Sequence, residues 1–115
     1  MKKIIVVDNE PKILEFFESF LKGLGYQVEV FSSPVQCPLY YFDCPCDVLI
    51  TDFRMPKING IEFIRHLQAK QRNINKIAMI SASWEKEAII EAEKLGCHTF
   101  SKPFMPDDIK DWLEE

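Results

Sequence analysis

Hydrophobic and polar positions follow two different periods along this chain. Residues 2–8, 48–51, 76–81 and 98–101 form short, mostly apolar runs rich in β-branched side chains. Runs of this length between turn residues predict strands, and near-continuous apolar runs predict strands buried on both faces. Residues 26–31 instead alternate apolar and polar positions, which predicts a half-exposed strand at a sheet edge.

Between the predicted strands, apolar residues recur at helical spacing. The first helix follows Pro11, which suits a first helical turn, and Gly25 is a plausible stop. The next regular helix should begin near Asn59 or Gly60, and the last two should cover residues 84–96 and 106–115. The inward stripes consist of Ile13, Leu14, Phe17, Leu21 and Leu24; Ile61, Ile64 and Leu67; Ala88, Ile89, Ala92 and Leu95; and Ile109, Trp112 and Leu113.

Residues 32–47 are the least regular part of the chain. Pro34, Pro38 and Pro45 fall within them, so a long helix is not expected, although a short one around residues 35–42 fits the pattern. Taken together, strand and helix alternate five times. This order predicts a doubly wound (βα)5 α/β sandwich, with parallel strands and helices on both faces. We expect one domain over residues 1–115, with no output domain.

Composition narrows the class of function. The chain has 115 residues and a net charge of -4, and its acids are spread along the sequence, which argues against nucleic acid as a partner. Neither an apolar run long enough to span a membrane nor a signal peptide is present, because the run after "MKK" is short and leads into acids. We therefore expect a cytoplasmic protein with no membrane partner.

Polar side chains stand where the predicted strands end. In a parallel sheet these ends lie at one edge, where ligands bind. Carboxylates gathered there would favour a cation, and magnesium takes oxygen ligands with one or two carboxylates. Taken singly, Asp8 could cap a helix, Ser81 could be a turn hydroxyl and Lys102 could be a solvated surface lysine. The strand ends carry Asp8, Asn9 and Glu10; Thr51 and Asp52; Ser81; and Ser101 and Lys102.

Four motifs occur in an informative order: "VVDNE", "LITDFRMPKINGIEF", "MISAS" and "SKPF". Together they resemble the response regulator receiver domains, the CheY-like family, over essentially the whole chain. The resemblance implies a flavodoxin-like sheet of strand order 2-1-3-4-5. It also implies two-component signal transduction rather than an enzyme, beyond catalysis of the protein's own phosphorylation and dephosphorylation.

The resemblance also implies roles for individual residues. Asp52 would accept a phosphoryl group from a histidine kinase or phosphotransfer protein, and Lys102 and Ser81 would contact that group. Asp8, Asn9, Asp52 and the backbone carbonyl of Arg54 would bind Mg²⁺ (or Mn²⁺). The phosphorylated protein would then change conformation toward a downstream protein target, or relay the phosphoryl group onward.

Three features depart from the family pattern. Asn9 replaces an acid that usually contacts the metal, so one negative charge is missing. The segment from Gly96 to Lys102 is one residue short, which leaves Thr99 and Phe100 as alternatives for the aromatic switch position. The proline- and cysteine-rich stretch replaces a regular helix.

Two alternatives stay open. A degenerate receiver would keep the fold, ignore phosphate and act as a docking module; Asn9 supports it, whereas Asp52, Ser81 and Lys102 speak against it. A metal or redox module would use Cys37, Cys44 and Cys46, but their C-x-C spacing does not match a zinc motif. A haloacid-dehalogenase-type phosphatase would need an acid where Arg54 stands, and "DNEPK" lacks the glycines of a dinucleotide-binding turn.

Overall fold

A computed structural model describes residues 2–115. In this part of the chain a five-stranded parallel sheet has the order β2-β1-β3-β4-β5, so the predicted fold class and strand order are confirmed. The strands are β1 (Lys3–Val7), β2 (Gln27–Phe31), β3 (Val48–Asp52), β4 (Lys76–Ser81) and β5 (Cys97–Ser101). The α-helices are α1 (Pro11–Gly23), α2 (Gly60–Ala69), α3 (Lys86–Lys94) and α4 (Pro106–Glu114).

The burial of each strand follows from its place in the sheet. Every residue of β3, at the centre of the sheet, is buried: the apolar run 48–50 predicts this for its first three residues, and the polar Thr51 and Asp52 at its end are buried as well. On β2, Val28 is buried while Gln27 and Glu29 are exposed, and this strand lies at the sheet edge, as its alternating pattern predicts.

The second crossover differs from the (βα)5 prediction. Between β2 and β3 the chain forms two 3-10 turns, Pro34–Gln36 and Pro38–Tyr40, and no α-helix, so four α-helices rather than five cover the sheet within residues 2–115. Each turn begins with a proline, which has no N–H to donate in a continuous helix. The turns are held by α2 and the chain after it: His66 Nε2 donates to the Tyr40 carbonyl at 2.8 Å, and Arg72 Nε donates to the Leu39 carbonyl at 3.1 Å.

The helix boundaries are close to the predictions, with one informative exception. Helix α1 begins at Pro11 and ends before Gly25, whose φ of +98° is the left-handed conformation that glycine favours. Helix α3 begins at Lys86 rather than at Trp84, so the predicted start was two residues early. Trp84 lies in the loop before the helix, where its indole donates a hydrogen bond to the β5 backbone.

The two faces of the sheet carry separate hydrophobic cores. Helices α1 and α4 cover one face, where Phe17, Leu21, Ile109 and Trp112 pack against the sheet. The 3-10 turns, α2 and α3 cover the other. That second core contains Cys37, Leu39, Cys46, Phe63, Ile64, Leu67, Met79, Ala92 and Cys97. Within residues 2–115, no helix is both long enough and apolar enough to cross a membrane.

Candidate functional site

The carboxyl ends of the strands place two acids, a hydroxyl and a lysine at one edge of the sheet. Asp8 directly follows β1, Asp52 is the last residue of β3, and Ser81 is the last residue of β4. Both carboxylates are almost fully buried, with 2% of Asp8 and 4% of Asp52 exposed. Lys102 follows β5 and reaches back over the edge, and its backbone N–H donates to the Ser81 carbonyl at 2.8 Å.

Lys102 is an ion-paired lysine rather than a solvated one. Its Nζ lies 3.1 Å from Asp8 Oδ2 and 3.4 Å from Asp52 Oδ1, and only 10% of its side chain is exposed. It also lies 3.4 Å from Oε1 of Glu10, a residue with no predicted role in the site. Burial alone would lower the pKa of Lys102, but the surrounding carboxylates more than offset this effect. The pKa is therefore raised, and the side chain stays protonated.

The acids at this edge hold more negative charge than Lys102 can neutralise. Burial, followed by repulsion from Asp8, raises the pKa of Asp52 to about 6, although Lys102 opposes the shift. Burial likewise raises the pKa of Asp8, against the opposing effects of the Glu10 N–H and Lys102. Raised pKa values of this kind are typical of functional sites, and a bound cation would lower them.

Asp8 does not cap helix α1. Its Oδ1 accepts a hydrogen bond from the Glu10 N–H at 2.8 Å, within the turn that follows β1. The N-cap of α1 is Glu10, which makes no side-chain capping bond. The capping interpretation of Asp8 was therefore wrong, and the carboxylate instead faces Lys102.

The donor set fits a magnesium ion. Asn9, which follows Asp8, and Arg54, two residues after Asp52, line the same open cavity of about 390 Å³. Two carboxylates, an amide oxygen and a backbone carbonyl are all oxygen ligands, and Mg²⁺ commonly keeps several waters besides such a set. The Arg54 side chain points to the β4–α3 loop, where its Nε donates to Ser83 Oγ at 3.3 Å. Of this residue, the backbone carbonyl is the donor suited to a cation.

Ser81 acts as a turn hydroxyl in this structure. Its Oγ donates to the Ser83 carbonyl at 3.1 Å and accepts from the Ser83 N–H at 3.2 Å. The side chain is fully buried at the end of β4, beside the strand that ends in Asp52. To donate to a group on Asp52, the hydroxyl must give up its bond to the Ser83 carbonyl, because it carries one proton.

Comparison with known proteins identifies the family. The family described as "Response regulator receiver domain" matches residues 4–114. This chain belongs to that family. The receiver domain is 31% identical to the chemotaxis protein CheY1 of Helicobacter pylori (strain J99), over 97% of this chain and 94% of the relative. It is 30% identical to sporulation initiation phosphotransferase F of Bacillus subtilis, over 99% of this chain and 92% of the relative.

Solved structures agree with this assignment. CheY4 of Vibrio cholerae superposes on the receiver domain with a TM-score of 0.88 at 25% identity, covering 99% of this chain and 97% of that one. FixJ-N superposes with a TM-score of 0.86 at 28% identity, covering 99% and 91%. Receiver domains are the phosphoryl-accepting signalling modules of two-component systems, and the chain is a member of this class.

The two alternatives for the switch position lie on opposite faces of β5. Phe100 packs with the core under α1 and α4, and its ring meets that of Trp112 edge-on at 5.9 Å. Because side chains alternate along a strand, Thr99 lies on the face of Cys97, toward α3. The aromatic residue and the position expected for it are therefore separated by the sheet.

The loop after β3 depends on a glycine. A Cβ on Gly60 would lie 2.7 Å from the Asp52 carbonyl oxygen, closer than such atoms approach, and would make a tight 3.1 Å contact with Phe53 Cα. The Gly60 N–H donates to the Phe53 carbonyl at 2.8 Å, which closes the loop against the start of α2. Asn59 caps this helix, since its side chain accepts from the Glu62 N–H while the Glu62 side chain accepts from the Asn59 N–H.

Three of the four cysteines, Cys37, Cys46 and Cys97, are buried thiols in the core on the α2 and α3 side of the sheet. Burial raises the pKa of Cys37 to about 11, that of Cys46 to about 12 and that of Cys97 to about 11. Cys44 is half-buried, and all four cysteines are free. Among residues 2–115, no group of three or more histidine, cysteine or acidic side chains is arranged to hold a metal ion.

Proposed function

We propose that Asp52 accepts a phosphoryl group from a histidine kinase or phosphotransfer protein, in a reaction that depends on Mg²⁺. The observation that carries this proposal is the placement of a buried strand-end carboxylate 3.4 Å from the buried ammonium of Lys102, beside a second acid. A carboxylate attacks an anionic phosphoryl group slowly unless positive charge neutralises and aligns the reactants. Lys102 supplies part of that charge, and Mg²⁺ would supply the rest.

Asp52 is a better nucleophile than Asp8 in this geometry. Both oxygens of Asp8 are engaged, one with the Glu10 N–H at 2.8 Å and one with Lys102 at 3.1 Å. Asp52 uses Oδ1 for a longer ion pair of 3.4 Å. A carboxylate that donors hold less tightly keeps more electron density for attack. The pKa of about 6 also leaves Asp52 mostly ionised at neutral pH.

The other residues of the site would bind the phosphoryl group and the metal ion. Lys102 would bind the phosphoryl oxygens as its contact with Asp52 loosens, and Ser81 would rotate its hydroxyl toward the same group. Mg²⁺, held by Asp8, Asn9, Asp52 and the Arg54 carbonyl, would neutralise charge on the phosphoryl oxygens. We propose that the phosphorylated domain then acts on a protein partner or passes the phosphoryl group onward.

The test is the intact mass of the protein after incubation with a small phosphodonor, with and without Mg²⁺. We expect one phosphoryl group per chain in the presence of Mg²⁺, its loss in Asp52→Ala, and slower addition in Asp8→Asn. Asp43→Ala is the matched control, because Asp43 is an exposed acid in the second crossover. A phosphoryl group retained by Asp52→Ala would contradict the assignment.

The amide at position 9 should weaken Mg²⁺ binding without abolishing it. Asn9 keeps an oxygen for coordination but removes a charge, and Asn9→Asp should bind Mg²⁺ more tightly by about 1 to 2 kcal/mol, the scale of one added charge at a partly solvated site. Calorimetric titration of both proteins measures the difference. Equal affinities would show that Asn9 does not contact the metal.

The degenerate-receiver alternative has its own outcome in the same experiment. If the wild-type protein takes up no phosphoryl group at saturating Mg²⁺ while Asn9→Asp does, the natural protein is a phosphorylation-independent docking module. The observation that favours this alternative is the single amide in an otherwise intact set of acids.

A further inference from the structure

We propose that Trp84, in the loop between β4 and α3, transmits the state of the acceptor site to β5. This inference rests on the proposed phosphorylation of Asp52, and it assigns to a loop tryptophan the coupling role that Thr99 and Phe100 are poorly placed to perform. Trp84 stands three residues after the hydroxyl of Ser81, outside the residues that would contact the phosphoryl group.

The indole of Trp84 bridges two strands that do not pair with each other. Its ring stacks on Phe53, with centroids 5.2 Å apart and planes inclined by 27°. Its Nε1–H donates to the Phe100 carbonyl at 2.8 Å. Phe53 directly follows Asp52, whereas Phe100 belongs to β5, and β4 lies between these strands. One side chain therefore contacts both the acceptor end of β3 and the edge strand of the sheet.

The backbone that carries Trp84 is tied to Ser81. The preceding residue, Ser83, both accepts from and donates to the Ser81 hydroxyl. Arg54 also holds Ser83, through Nε at 3.3 Å and through Nη2 at 3.4 Å to the Ser83 carbonyl. If Ser81 turns to donate to a phosphoryl group on Asp52, it must release the Ser83 carbonyl, because a hydroxyl has a single proton. The change at the site thus reaches the residue next to Trp84 by breaking an identified hydrogen bond.

The residues of β5 are less suited to this role. The Phe100 ring packs on the opposite face of the sheet, against Trp112, where it does not meet the loop. Thr99 faces α3 but carries only a small side chain. Trp84 places a large ring on the α3 side of the sheet and hydrogen-bonds to β5 at the carbonyl of Phe100. The aromatic contact expected from β5 is supplied by the loop instead.

A shift of Trp84 would alter the start of α3. Trp84 immediately precedes Glu85, the N-cap of this helix, which makes no side-chain capping bond. Glu85 is also within 3.7 Å of Arg54 Nη2, an exposed and therefore weak ion pair. No side-chain cap holds this end of α3, so it can follow the loop when the bond from Ser81 to the Ser83 carbonyl breaks.

The first test separates the two tryptophans. Phosphodonor and Mg²⁺ are added to wild type, Trp112→Phe and Trp84→Phe, and intact mass and indole emission are read from the same samples. We expect all three proteins to gain one phosphoryl group, with an emission change in wild type and Trp112→Phe that is lost in Trp84→Phe. A mass gain with unchanged Trp84 emission overturns the inference alone. No mass gain in wild type overturns the proposed function, and the inference with it.

The second test asks whether Trp84 transmits the change or only senses it. Amide hydrogen exchange is compared before and after phosphorylation for peptides covering 82–90 and 97–101. At equal mass gain, Trp84→Ala should lose at least half of the wild-type response at 97–101 and keep a response near Ser83. Trp84→Phe retains a ring on Phe53 but not the bond to the Phe100 carbonyl, and it should show the same loss at 97–101. Phe42→Ala, which removes an exposed ring, is the control with an unchanged response. A wild-type response at 97–101 in both Trp84 variants would refute transmission through this side chain.

Discussion

The two faces of the sheet differ in how they are built. Under α1 and α4, aromatic rings pack directly on one another: Phe17 stacks on Phe104 at 5.3 Å, and Phe16 lies 5.3 Å from Phe20. The opposite face is covered by α2, α3 and an irregular crossover, and its core includes thiols and Met79 as well as aromatic rings. The stacked pair of Phe53 and Trp84, which adjoins the acceptor site, packs against this second face.

This difference suggests a division between a rigid face and a responsive one. Close-packed rings resist rearrangement, because any shift forfeits many contacts at once. A face covered by short turns and a helix with a weakly held start can rearrange at lower cost. Equivalent truncations on the two faces should therefore differ in their cost to stability.

Truncating the aromatic core should have the largest effect. Phe17→Ala removes a fully buried ring, and we expect the free energy of unfolding to fall by about 4 kcal/mol. Chemical denaturation measures the loss, and Phe42→Ala, with 66% of Phe42 exposed, should change stability by less than about 0.5 kcal/mol. Similar losses in the two variants would contradict the packing described for α1.

The same kind of truncation on the other face should have a smaller effect. Leu39 is buried in the second 3-10 turn, and Leu39→Ala should lower the free energy of unfolding by about 2 kcal/mol, because a short irregular segment relaxes around a cavity more easily than a helix does. A loss equal to that of Phe17→Ala would show that the two faces are equally rigid.

The third prediction concerns the cost of the acceptor acid in metal-free protein. The pKa of Asp52 is about 6 in the folded state, above the unfolded value of about 3.9, so the folded state binds the extra proton between these values. Stability therefore falls as the pH rises from about 4 to 6, and the full cost is present at pH 7. Asp52→Asn should raise the free energy of unfolding by about 2 kcal/mol at pH 7, allowing for one lost contact of Lys102.

This gain should shrink toward zero near pH 4 and should be opposed by Mg²⁺, which favours the charged form. Urea denaturation in chelator at a series of pH values provides the measurement. Asp43→Asn, at an exposed acid, is the control without a pH-dependent gain. A gain that is the same at pH 4 and pH 7 would rule out ionisation of Asp52 as its cause.

The smallest effect should come from the cap of α2. Asn59→Ala removes the acceptor for the Glu62 N–H, at 2.9 Å, and should lower stability by about 1 kcal/mol. Asn73→Ala changes an exposed asparagine outside the helices and should have almost no effect. If the two variants are equally stable, the capping box does not stabilise this loop in solution.

Much of the fold follows from local pattern, because strand and helix periods are visible in short windows. The edge position of β2, the stop at Gly25 and the start at Pro11 each depend on a few adjacent residues. The second crossover was harder to predict, because its 3-10 turns are stabilised by contacts from His66 and Arg72, far along the chain. Local propensity does not contain such contacts.

The site shows the same limit. Strand-end acids converge in any parallel sheet, so the grouping of Asp8 and Asp52 could be anticipated. The ion pair between Glu10 and Lys102 could not be anticipated, although the position of Glu10 two residues after Asp8 was a usable signal. Trp84 was assigned to a helix because the residues after it have helical spacing, and its bond to the Phe100 carbonyl depends on β5, sixteen positions away.

Gly60 sets the clearance between helix α2 and the acceptor strand. The space beside the Asp52 carbonyl is narrower than one methyl group, since a Cβ there would come within 2.7 Å. Helix α2 can approach the strand this closely only because residue 60 has no side chain. A single added carbon at this position would displace the backbone that positions the Asp52 carboxylate. The site would be disturbed although none of its charged residues had been changed.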